Sequence, residues 1–361
     1  MLAVSDRVSA DVGLALSQSD PLALARDAQL MQVHTLIGPV VSHHADVAAH
    51  LPADLVLFFQ AMHAANRQRL AAGMTQLEAI GAALRARDIP AVVLKGGGDM
   101  LSSIHEDPAA RYVGDLDILV PANRAAEAFV ALCDLGAAPA APPAHETSRF
   151  DWRGQRLPEH HLPRLVRSDW AFPVEIHIHL GPGNIAAVLE PAAVIAHRVP
   201  TLVAGLSVAS DEDRACNLLT HSIRHGGMIS LRAWVDWSRL RLRCDRAAVA
   251  SRLRRAGYGK AFESCEVMAD LLGATGAATM SETEKAIARA ALRSFCAAGN
   301  WSVADLARFV FRRVRGLTLS SAYRRHVVGK IAGSSVSRNV GKMVGGAGRA
   351  LARNLKRRPK K

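Results

Sequence analysis

Several things are scarce or missing in this 361-residue chain, and each omission removes a class of function. No run of eighteen or more uninterrupted apolar residues occurs, so no transmembrane helix is expected. Asp6, Arg7, Asp11 and Asp20 interrupt the first twenty residues and break any secretory-signal pattern. The five cysteines (133, 216, 244, 265 and 296) are odd in number and scattered, without a C-x-x-C pair. That suits reduced thiols in a cytoplasm and argues against structural zinc. The phosphate loop G-x-x-x-x-G-K-[ST] is absent, as is H-E-x-x-H. Acidic residues are absent from Leu306 to Lys361, where sixteen Lys or Arg fall. The other 305 positions then hold 29 basic and 32 acidic residues, so the net charge of +13 belongs to the tail alone. No aromatic residue follows Tyr323, which weakens a base-stacking role for that tail. Gly345, Gly346, Gly348 and the terminal LARNLKRRPKK leave three readings for it: a solvated segment with nonspecific anion affinity, a nucleic-acid arm, or an anchor to an anionic surface. The first is preferred.

What is present centres on Leu94 to Pro121, LKGGGDMLSSIHEDPAARYVGDLDILVP. In Asp115 to Val120 the aspartates are two residues apart, and Leu116, Ile118 and Val120 take the alternate positions. A strand has a side-chain period of two, so Asp115 and Asp117 should leave one face, roughly 7 Å apart, while the other face packs a core. Neighbouring carboxylates repel unless a cation lies between them, and hard oxygen ligands favour Mg²⁺. A third acid is offered by FPVEIHIHL, Phe172 to Leu180, where Val174, Ile176, Ile178 and Leu180 alternate with Glu175, His177 and His179. Beside the first strand, Glu175 would complete a three-carboxylate cluster, with His177 on the same face as a substrate contact or a group orienting Glu175. The bland alternative is a salt-bridged surface strand.

Around this core the pattern is helical. Leu70, Met74, Leu77, Ile80 and Leu84 form one apolar stripe, with a separate helix expected over Leu55 to Met62 after Pro52. Ile89-Pro90 ends that region and Ala91 to Leu94 reads as a strand leading into a glycine turn at Gly96 to Gly98, with a helix from Asp99 onward. Asn123 is the expected cap of a helix to Leu135, ended by Gly136, with a loop over 137–148. Arg164 to Val166 is expected to pair with 172–180, giving a small mixed sheet with helices on one side. Helices resume at Asp211. His221 and His225 share a face there but lack a third ligand, and Leu231, Trp234, Val235, Ser238 and Leu242 continue a stripe with Asp236 on another side.

The order of glycine turn, D-x-D strand and later single-acid strand resembles the polymerase-β-type nucleotidyltransferase superfamily. LKG at Leu94 to Gly96, Arg111 before DLDILV, and VEIH at Val174 to His177 look most like a bacterial group of nucleotidyltransferase family proteins with that LKG signature. Many superfamily members carry a Gly-Ser pair close upstream of D-x-D; here Gly96-Gly97 lies further away and lacks the serine. The resemblance implies an α+β protein: a small mixed-sheet catalytic core at 89–200 flanked by helical regions at 1–88 and 201–316, with the basic tail at 317–361. It implies Mg²⁺ (or Mn²⁺) held by Asp115, Asp117 and Glu175, phosphates of an NTP donor contacted by Lys95, Gly96, Gly97 and Arg111, and a helical cap forming one wall of an acceptor pocket. Lys95 and Arg111 could equally pair with surface acids. The expected reaction moves an NMP to an acceptor hydroxyl on a small molecule or protein, with Glu175 able to take the hydroxyl proton. A noncatalytic NTP-binding protein and a template-independent RNA nucleotidyltransferase fit the same residues.

Overall fold

A computed structural model describes residues 17–140, 161–181, 188–224 and 231–259, together with 262, 263, 265, 266 and 269; the side chains of 222–224 are excepted. These residues belong to one compact unit, and the basic tail and His225 lie outside them. In chain order the elements are helices α1 (Pro21–Leu30), α2 (His34–His43), α3 (Ala45–Ala49) and α4 (Ala53–Arg85), strand β1 (Val92–Val93), helix α5 (Lys95–Leu101), strand β2 (Leu116–Leu119) and helix α6 (Ala125–Asp134). Strands β3 (Ala138–Pro139), β4 (Leu165–Val166) and β5 (Val174–His177) follow, then helix α7 (Pro191–Ala196), strands β6 (Val199–Pro200) and β7 (Ser207–Val208), and helices α8 (Asp211–Arg224), α9 (Leu231–Leu240) and α10 (Arg246–Arg255). No helix among the described residues is long and apolar enough to cross a membrane.

The strands form one mixed sheet ordered β3-β4-β5-β2-β1-β7-β6. The central pair β2–β5 is parallel, with Asp117 opposite Glu175 and Leu119 opposite His177. β1 runs antiparallel to β2 and parallel to β7. The expected pairing of the 164–166 segment with 172–180 is present, β4 lying antiparallel to β5 through Leu165 and Val174. This is the α+β core expected from the sequence.

Alternation along the strands divides the sheet between two cores. Val93, Leu116, Ile118 and Val120 pack with Leu70, Leu77, Ile80 and Leu84 of α4 and Ala128 and Leu132 of α6. Val92, Leu94 and Leu119 pack with Cys216 and Leu219 of α8 and Trp234 and Trp237 of α9. Helices therefore cover both faces, not one as the sequence suggested, because the two-residue period gives β1 and β2 apolar side chains on each side. The third cluster belongs to the N-terminal helices, centred on Phe59, Leu55, Val41 and Val33.

Two separate helices over 55–62 and 70–84 were expected; α4 instead runs unbroken for 33 residues. The intervening HAANRQR contains no proline or glycine, and its polar side chains have distant work. Asn66 Nδ2 donates to the carbonyls of Ala109 (2.8 Å) and Arg111 (2.9 Å), and Arg69 Nη1 donates to Val113 O (2.7 Å). Gln76 exchanges two hydrogen bonds with the backbone of Phe172. One helix thus fixes both segments that feed the acid-bearing strands. At α6 the cap position is Arg124, after a 3₁₀ turn at Ala122–Arg124, so Asn123 is not the cap; Gly136 does end it, at φ +89°. Ala138 and Pro139, expected in a loop, pair with Leu165 and Val166, while 141–148 lie outside the described residues.

The glycines are the clearest departure. The helix starts at Lys95, ahead of them, so Gly96, Gly97 and Gly98 form its first turns and are buried. A Cβ on Gly97 would stand 2.8 Å from Val93 Cγ1 and 3.0 Å from Leu116 Cδ2, and one on Gly98 would stand 2.8 Å from Val93 O. Glycine is needed here for α5 to lie against β1 and β2, a packing reason that a turn reading does not see.

Candidate metal and nucleotide site

Strand β2 brings Asp117 to the face it shares with Leu119, and the parallel register sets Glu175 beside it, with His177 next along β5. Asp117, Glu175 and His177 each offer a ligand atom within 4.8 Å of the others, an arrangement that could hold a metal ion. Asp115 lies one residue before β2 and is not in that group; its side chain is 38 % exposed, whereas that of Asp117 is 1 % exposed. Arg164 stands between the two parts, donating from Nε and Nη2 to Glu175 Oε1 at 2.9 and 2.7 Å, with Asp115 Oδ2 3.8 Å from Nη2.

The charges around Asp117 are uneven. Its Oδ1 accepts from Lys95 Nζ at 2.9 Å and from His177 Nε2 at 2.6 Å. Its Oδ2 is buried with no hydrogen-bond partner. Burial alone would raise its pKa, but the Lys95 ammonium and His177 outweigh burial and hold the carboxyl well below the usual range. For Glu175, burial is likewise outweighed by hydrogen bonds from His177 and Arg164, leaving it at about 2. Asp115 moves the other way: burial first, then the charge of Asp117, push it up against the pull of Lys95. Burial lowers and the two carboxylates raise His177, with a net upward shift. Lys95 itself sits at φ +46°, in the left-handed region that a side chain makes unfavourable by about 1–3 kcal/mol. That conformation is held where its ammonium reaches Asp117.

Lys95, which bonds Asp117, also borders a cleft of about 460 Å³ lined by Gly96, Arg111 and Asp115 and by Arg214 and Arg232 of the C-terminal helices. The segment expected to wall an acceptor pocket lines this cleft through His221, Arg232, Asp236 and Leu240. Gly96 lines the cleft, whereas Gly97 faces Val93 and Leu116. Arg111 borders the cleft but is 5 % exposed, its Nε 2.6 Å from Asp99 Oδ2 and 3.0 Å from Asp236 Oδ2. His221 borders it as well.

Asp236 was not singled out by sequence. It is 1 % exposed, and its carboxylate is fully used: Oδ1 meets His105 Nε2 at 2.9 Å and Oδ2 meets Arg111. Burial would raise its pKa, but Arg111 and His105 drive it far down. From Arg111 the network continues through Asp99 to Arg214 and on to Asp211 and Arg243, tying α5 to α8. A carboxylate embedded among Trp234, Val235 and Trp237 was the available signal, since an acid there must find a buried cation. Burial pushes the free thiols of Cys216 and Cys265 up to about 12, for Cys216 against the pull of Arg252.

No curated protein sequence matches this chain. The family model described as "Uncharacterised nucleotidyltransferase" matches residues 19–273, a span that takes in α1 to α10, the acid-bearing strands and the cleft. That match covers more than half of the 361 residues, and the chain belongs to this nucleotidyltransferase family.

Proposed function

We propose that the protein transfers a nucleoside monophosphate from an NTP to an acceptor hydroxyl, on a small molecule or a protein, releasing pyrophosphate. The observation that carries this reading is the bare, buried Oδ2 of Asp117 beside Glu175 and His177, a group joined through Lys95 to a cleft rich in cationic side chains. A buried carboxylate oxygen without a partner costs about 1–3 kcal/mol, more when charged, and is retained where a ligand uses it.

The donor set fits a hard divalent cation, Mg²⁺ or Mn²⁺. Asp117 and Glu175 stay ionised, and the raised pKa of Asp115 marks an anion disfavoured first by burial and then by its acidic neighbours, the second of which a cation would relieve. Asp115, Asp117 and Glu175 would hold it, with His177 keeping the Asp117 carboxylate oriented. Such a cation neutralises phosphate charge and lowers the pKa of an attacking hydroxyl. Lys95, Gly96, Gly97 and Arg111 position the phosphates, Gly97 by letting α5 lie close to the sheet. The hydroxyl oxygen attacks the α-phosphorus, the bond to the β-phosphate oxygen breaks, and pyrophosphate leaves. The hydroxyl proton has two carboxylates to go to: Glu175, the stronger acid at about 2, and Asp115, the more basic. Alignment and charge neutralisation supply most of the acceleration in such chemistry.

The test is pyrophosphate release from each of the four NTPs with Mg²⁺ or Mn²⁺, in the presence of cell extract to supply acceptors. Release that Asp117→Asn removes supports transfer. NTP binding without release under all these conditions overturns it in favour of a binding protein.

A further inference from the structure

The cations of the cleft differ in how they are paired. Lys95 is held by Asp117, Arg111 by Asp99 and Asp236, and Arg214 by Asp99 and Asp211. Arg232, in the first turn of α9, has no ion pair among the described residues, and its Nε is buried without a hydrogen-bond partner. The carboxylates around it are Asp236, Asp99 and Asp115. Both oxygens of Asp236 and both of Asp99 are engaged by other residues, and Asp115 leans toward Arg164. Burial, followed by the repulsion of Arg111, makes the Arg232 cation less favourable than an ordinary guanidinium. A desolvated guanidinium bordering a cavity without a carboxylate of its own is complementary to an incoming oxyanion, which its planar fork binds in two places at once.

We propose that Arg232 takes a phosphate group of the donor triphosphate, so that α9 closes the phosphate site opposite Lys95 and Gly96. This deepens the transfer reading and rests on it for the identity of the anion. It accounts for the imbalance in the cleft: the ligand supplies the charge that the protein leaves out.

The experiment compares the full-length protein with Arg232→Met and Arg232→Lys, reading melting temperature and calorimetric affinity for tripolyphosphate and ATP. Methionine fills the same space without a charge, so without ligand Arg232→Met should melt at the same temperature as the parent or higher. Its affinity for tripolyphosphate should fall at least tenfold and the ligand-induced shift should vanish. Lysine should restore only part of the binding, and ATP should displace tripolyphosphate. A lower melting temperature with unchanged affinity would make Arg232 structural and overturn the proposal, as would simultaneous binding of ATP and tripolyphosphate or no tripolyphosphate binding by the parent. The two readings fail separately. Arg232-dependent tripolyphosphate binding without pyrophosphate release sinks transfer but leaves anion capture standing. Asp117-dependent release that persists in Arg232→Met with unchanged KM does the reverse.

Discussion

Asp117 and Asp236 are both about 1 % exposed, both held well below the usual carboxylate range, and yet they are built differently. Around Asp236 both oxygens are matched by His105 and Arg111, and the cations extend into a chain of pairs across three helices and a loop. Around Asp117 two donors converge on one oxygen and the other is left bare. A closed network holds parts of a protein together; an open one is incomplete until something arrives. The comparison separates an acid whose oxygens are both matched from one that keeps an oxygen free, which burial and pKa direction alone do not.

The largest expected effect breaks the open site. Asp117→Asn should reduce pyrophosphate release by a thousandfold or more, about 4 kcal/mol of barrier on the usual conversion. The melting temperature should move by only a few degrees, because Lys95 is 30 % exposed and can return to water. Release assays and calorimetry on the same preparation check both halves. A normal turnover rate in this variant would remove Asp117 from the chemistry.

The closed site should respond in the opposite sense. Asp236→Asn is expected to cost about 3 kcal/mol of stability, the low end for breaking a buried pair, because Arg111 keeps Asp99. Urea titration measures it. The activity that remains per folded molecule should fall far less than in Asp117→Asn.

Acid sharpens the same contrast. Asp236 has its pKa depressed below the ordinary aspartate value of 3.8, so its pairing stabilises the fold above that pH and is lost as the pH falls through and below it. Stability of the parent should decline below about pH 4, this one group contributing up to about 1.4 kcal/mol per pH unit. Asp236→Asn should show a shallower acid limb in urea midpoints measured from pH 5 downward. An unchanged slope would mean that the pair is not tight in solution.

What could be read from sequence divides along the same line. The acids of β2 and β5 announce themselves through two-residue alternation, because a strand writes its two faces directly into the chain. Asp117 beside Glu175 needed only a parallel register between two apolar runs. Asp236 signals only that an acid beside Trp234, Val235 and Trp237 needs a buried cation; its partners, His105 and Arg111, are more than a hundred residues away and cannot be read from α9 alone. The seven-residue α5 was hidden for another reason: three successive glycines signal a turn, and only the sheet beneath them reveals a helix. Two-residue strands such as β6 and β7 carry too little alternation to be seen at all. The continuous α4 was missed because its middle is polar, and that polarity serves the backbone at 109–113 and at Phe172.

The glycines give the smallest effect and the finest distinction between packing and ligand binding. Gly97→Ala places a methyl group 2.8 Å from Val93 Cγ1 and 3.0 Å from Leu116 Cδ2, inside a core where both side chains are fully buried. Overpacking of this kind costs about 1–3 kcal/mol, and the gain in helix propensity from glycine to alanine returns just under 1 kcal/mol of it. A net loss of up to about 2 kcal/mol is expected in urea titration. Gly114→Ala is the matched control: nothing stands within 4 Å of its added Cβ, and its φ is not in the left-handed region, so stability should be unchanged or slightly raised. Gly114 borders the cleft one residue before Asp115 and Gly97 does not, so the two substitutions pull apart what the sequence offers as similar small residues. If Gly97→Ala lost NTP affinity while keeping full stability, the residue would be serving the phosphates directly, and the packing account of α5 would have to be given up.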